Sequence, residues 1–156
     1  MRKLNTMEDF QRDICYRVLV REDESIELSA SMRDRFHDVE LQVVADGATL
    51  AIREAGVVFR KSPSVHCGAV AQRLEGLQGV VIGPGLSRAL NAALGGAQGC
   101  GNLRTLLLGL LPLALNVKAG AGIDDEDEML DTIHRHLQGT CGGYPLDLKD
   151  GAQSAG

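Results

Sequence analysis

The chain is predicted to be α+β, an N-terminal antiparallel β-sheet of about three to four strands packed against about four C-terminal helices. Three observations predict this class. Apolar and polar residues alternate up to Pro63, the repeat changes to helical spacing after it, and strands come first and helices later with no internal repeat. That order is the pattern of helices covering one face of an antiparallel sheet.

The first strand is read over residues 14–20, where Ile14, Tyr16, Val18 and Val20 recur at period two. Ile26, Leu28 and Ala30 continue the style after a charged turn. Residues 36–44 form the clearest alternation, with His37, Val39, Leu41 and Val43 on one face and Asp38, Glu40 and Gln42 on the other. Asp46-Gly47 then signals a two-residue hairpin, and residues 49–60 a further strand in which Gly56 suggests a bulge or a close backbone approach. Past Pro63, Val70, Leu74 and Leu77 lie three and four apart, so a first helix is expected over residues 65–77. A second is expected over 86–94, ended by Gly95-Gly96, and a third over 101–117, kinked by Pro112. Residues 124–128, all acidic, open a fourth, and His134, Arg135 and His136 sit near its other end, where they complement the dipole. Residues 1–146 are expected to form a single α+β domain, and 147–156 a flexible, frayed tail.

With 156 residues, 44% of them apolar and 24% charged, the chain has the composition of one ordinary globular domain. Such a length removes about two thirds of the unfolded surface from water. The net charge of −5 and the scarcity of aromatic residues, five Phe and Tyr and no Trp, argue against a nucleic-acid partner. No apolar segment follows Arg2 and Lys3, so a cytoplasmic location is expected. The most apolar stretch, residues 103–117, is interrupted by Arg104, Gly109, Pro112 and Asn116. It is read as a core helix and not a membrane span, and its leucines leave a homodimer open.

The residues that carry the most chemistry are His37, Cys67, Cys100 and Cys141, one imidazole and three thiols, each beside a turn or element end. Brought together they would make a Cys₃His site, whose soft donors suit one zinc or iron per chain. Cys67 and Cys100 both fall at expected helix starts, which stabilise thiolates. A second reading makes Cys67 or Cys100 the thiol of an enzyme or small-molecule-binding domain, with His37 or His66 as its base. A third makes the cysteines plain core and the chain a structural or partner-binding protein. The glycine-rich residues 95–101 lack the Lys-Ser/Thr ending of a phosphate loop, so no nucleotide is expected, although such a loop ahead of a helix suits an anion.

The segments Asp34-Arg35-Phe36-His37-Asp38, Pro63 with His66-Cys67-Gly68-Ala69, Leu74 to Gly79, and Gly99-Cys100-Gly101-Asn102-Leu103 resemble, in order and spacing, the bacterial family known as domain of unknown function 2889. The resemblance runs over roughly residues 12–142 and implies a common fold and a shared His/Cys site, without an activity. The family pattern has histidine two residues after the cysteine of the Gly-Cys motif, where this chain has Asn102, a poor zinc ligand. The expectation drawn from all of this is a cytoplasmic protein that holds one transition metal through His37, Cys67, Cys100 and Cys141 and acts as an accessory or binding protein for a small molecule or protein partner.

Overall fold

The computed structural model describes residues 7–146, so the expected tail at 147–156 lies outside the described residues. An antiparallel sheet in the order β1-β2-β3-β4 is built from β1 (Asp13–Val20), β2 (Ile26–Arg33), β3 (Asp38–Ala45) and β4 (Ile52–Lys61). The period-two pattern places every second residue on one face. Leu28 lies opposite Val43, Ala30 opposite Leu41 and Met32 opposite Val39, and all six are buried. The outer strands add Tyr16, Val18, Val57 and Phe59 to the rim of this core. Helices follow as α1 (Leu86–Leu94), α2 (Gly101–Leu110), α3 (Leu113–Gly120) and α4 (Glu126–Leu137). The fold is thus the α+β arrangement predicted. Leu86, Leu90 and Leu94 of α1 and Leu103, Leu106, Leu107 and Leu110 of α2 form the apolar stripes that bury the sheet face.

Four local expectations are corrected. Asp46-Gly47 is not a two-residue hairpin, since β3 and β4 are joined by residues 46–51. The carboxylate of Asp46 accepts from the backbone N–H groups of Ala48 (2.9 Å) and Thr49 (2.8 Å), so the Asp acts as a side-chain cap. Gly47 is needed for a different reason, because a Cβ there would meet the carbonyl oxygen of Glu24. The ladder irregularities fall at Asp38/Val39 and Val44/Ala45, while Gly56 pairs regularly with Gln42. The expected third helix is two helices. Pro112 has no N–H to give to the preceding turn, and α2 stops at Leu110 before α3 restarts at Leu113.

The fourth correction matters most. Residues 67–77 form a 3₁₀ helix, Cys67–Leu77, where an α-helix was expected. The chain after it is stitched to the head of β4, with Ile52 N–H donating to Val80 O, Gly79 N–H to Ile52 O and Ile82 N–H to Leu50 O. The helical run from Gly101 to Gly120 is by length and composition long enough to cross a membrane. Its residues Leu103, Leu106, Leu107, Leu110, Leu111 and Ala114 are buried in the core, while Leu108 and Leu115 of the same run are exposed.

The described residues divide into two compact units, one up to Ala114 and one from Leu115 onward. The first holds the sheet, the 3₁₀ helix, α1 and α2. In the second, Asp125 caps α4 by accepting from Glu128 N–H (2.8 Å), and Glu126, Asp127 and Glu128 occupy its first turn. His134 packs edge-on against Tyr144 at 5.4 Å between ring centroids.

Candidate functional site

Two constellations in the first unit contain His37, Cys67 and Cys100, three of the four residues singled out from the sequence, and both use the start of α2. One is centred on Asp34, in the turn between β2 and β3. Its side chain is fully buried and accepts from the backbone N–H groups of Phe36 and His37 (2.8 Å each), from His37 Nδ1 (2.9 Å) and from Arg12 Nε (2.7 Å). Burial alone would push the carboxyl up. The hydrogen bonds from His37, from Phe36 N–H and from Arg12 outweigh it and hold the group well below the usual carboxylate range.

Asn102, in the first turn of α2, completes this cluster. Arg12 Nη1 donates to Asn102 Oδ1 (3.0 Å), which turns the amide so that its Nδ2 faces His37 Nε2 at 3.4 Å. The arrangement fits an imidazole that donates from Nδ1 and accepts at Nε2. His37 therefore lies in the turn ahead of β3, not on the apolar face of a strand. Both of its ring nitrogens have partners, and the cluster locks three separate pieces of chain together.

The second constellation is a cleft of about 540 Å³. One wall is residues 97–100, which lead into α2. The other is the 3₁₀ helix, whose three residues per turn place side chains three apart in line. His66, Ala69 and Gln72 make one row, Cys67, Val70 and Arg73 the next, and both rows line the cleft. The third row contains Leu74 and Leu77, which are buried in the core. In an α-helix these rows would drift around the axis and scatter the lining. Arg73 crosses the cleft to residue 98, donating from Nε to Gln98 O (3.4 Å) and from Nη2 to Gln98 Oε1 (3.3 Å).

The expected Cys₃His site is not assembled. Cys67 and Cys100 share the cleft, but His37 is engaged by Asp34 and Asn102, and Cys141 is exposed in the second unit beyond α4. Among the described residues no group of three or more His, Cys, Asp or Glu side chains could hold a metal ion. The reading of this chain as a protein that holds zinc or iron is therefore corrected. All four cysteines are free thiols. Sequence reasoning missed Arg12, Arg73 and Gln98, which act across long separations. The role of Asp34 was within reach, because Asp34-x-x-His37 repeats at Asp46-x-x-Thr49, each aspartate following a strand and capping the turn ahead.

No curated protein and no solved structure matches the chain. A family model does, over residues 10–115, a span that contains the whole sheet, the Asp34 cluster and the cleft and ends where the first compact unit ends. By that match the chain belongs to the family described as protein of unknown function (DUF2889).

Proposed function

We propose that this is a small-molecule-binding protein whose ligand occupies the cleft between the 3₁₀ helix and residues 97–100. The observation that carries this reading is the two aligned rows from His66 to Arg73. An eleven-residue 3₁₀ helix gives up hydrogen-bond geometry that an α-helix would keep, and such runs rarely exceed about four residues. Here it sets an imidazole, a thiol, an amide and a guanidinium along one wall, opposite the thiol of Cys100. A volume of about 540 Å³ falls within the usual range for small ligands, and the lining mixes apolar surface with a few convergent polar groups.

The test is a fragment screen read by two-dimensional NMR of the isotope-labelled chain, with cysteine alkylation as a second readout. Fragments should shift the signals of residues 64–73 and 97–100. They should slow alkylation of Cys67 and Cys100 while leaving that of the exposed Cys15 and Cys141 unchanged. Fragments that collect elsewhere, or none that reach these residues, would defeat the proposal.

A further inference from the structure

We infer that the cleft takes a small organic carboxylate, which replaces Gln98 on the Arg73 guanidinium and lays its apolar body on Ala69, Val70 and Ala97; this rests on the reading of the cleft as a ligand site. The chain carries 21 acids against 16 bases, yet no Asp or Glu lines the cleft. Its one permanent cation is Arg73. Elsewhere in the same unit Arg12, Arg21, Arg33, Arg53 and Arg60 each meet a carboxylate, and Arg104, outside the cleft, donates to the amide oxygen of Asn91. The hydrogen bonds of Arg73 go instead to two neutral oxygens of one residue, at 3.4 and 3.3 Å.

The geometry of those two bonds names the ligand. Gln98 presents one oxygen to Nε and one to Nη2, the two donors along one side of the guanidinium fork. A carboxylate offers two oxygens to the same pair, with bonds of about 2.7–2.9 Å and roughly twice the strength of neutral ones. Gln98 is a placeholder for that carboxylate. It is exposed, so its amide passes to water when displaced and leaves no buried group unpaired. A phosphate dianion would ask for a second cation, and the cleft supplies none that is permanently charged. Ala69, Val70 and Ala97 give the body of the ligand an apolar wall.

Benzoate and benzamide, equal in shape and different in charge, provide the experiment, each titrated into the full chain by NMR alongside inorganic phosphate. Benzoate should bind at least tenfold tighter than benzamide, the smallest difference expected of a charged pair of hydrogen bonds. Arg73→Gln should remove that preference, bringing benzoate to the affinity of benzamide. Gln98→Ala, on the exposed loop, should act in the opposite direction and tighten benzoate by removing the side-chain oxygen that competes for Nη2, while the backbone carbonyl on Nε remains. Equal affinity of the two probes, an unchanged benzoate affinity in Arg73→Gln, or inorganic phosphate binding tighter than benzoate would overturn the inference. If neutral fragments still fill the cleft, the proposed function survives that result. If nothing enters the cleft, both fall.

Discussion

Asp34→Ala should be among the costliest single changes outside the apolar core. The structure contains its own control, because Asp46 uses the same device. Each aspartate accepts the backbone N–H groups two and three residues ahead and pairs with an arginine, Arg12 in one case and Arg53 in the other. They differ in setting. The Asp34 side chain is 0% exposed and also holds His37, whereas that of Asp46 is 26% exposed. Losing the two backbone bonds costs about 1 kcal/mol, by analogy with a lost helix cap. Leaving the His37 ring N–H without its acceptor in a mostly buried place adds about 1–3 kcal/mol. The ion pair adds little, since Arg12 is partly in water. The total is about 3 kcal/mol for Asp34→Ala, with a clearly smaller loss for Asp46→Ala. Urea unfolding of the two variants beside the wild type measures both, read as shifts in midpoint at unchanged slope. Equal losses, or a loss below about 1 kcal/mol for Asp34→Ala, would refute the claim that burial and the imidazole set the difference.

Acid should act through the same groups. Both carboxyls are held below the ordinary value near 4, Asp46 at about 2, so at low pH the unfolded chain binds protons that the folded chain does not. Their contribution is complete above about pH 4 and is lost as pH falls through the folded values; the urea midpoint should drop below that pH, and drop less steeply in Asp34→Ala. Gly47→Ala should destabilise the protein by about 2 kcal/mol or more, because its Cβ would press on the backbone carbonyl of Glu24. Gly56→Ala meets open space and should be neutral or slightly stabilising, both glycine variants being read by urea unfolding. Leu107→Ala empties a fully buried position between α2 and the sheet and should cost about 2–5 kcal/mol by urea unfolding.

The sheet was legible because a half-buried strand writes its period directly into the chain. Val39, Leu41 and Val43 could belong to no other element, and they are buried as read. Asp46-Gly47 misled because the dipeptide signals a turn without saying whether the aspartate works through its backbone or its carboxylate. The 3₁₀ helix was hidden by its own ambiguity. Val70, Leu74 and Leu77 suit an α-helix, and only the row Cys67, Val70, Arg73, set three apart, records the tighter winding. The site was half legible. Cys67, Cys100 and His66 do meet at one cleft, since each lies next to an element start that the sequence marks. His37 and Cys141 do not join them. An imidazole shows no sign in sequence of which neighbour will satisfy it, and Arg12 and Asn102 stand 90 residues apart.

The meander has a consequence for how the protein is made. All of its strand pairings are between neighbours in sequence, so the sheet can zip up as soon as β4 leaves the ribosome. The leucines that cover it arrive later, with α1 and α2, after about fifty more residues; at ordinary elongation rates that is a delay of roughly 2–10 s. For that interval Leu28, Leu41, Val43 and Ile52 face water as one apolar wall. A fragment that stops at Lys61 would keep that wall uncovered.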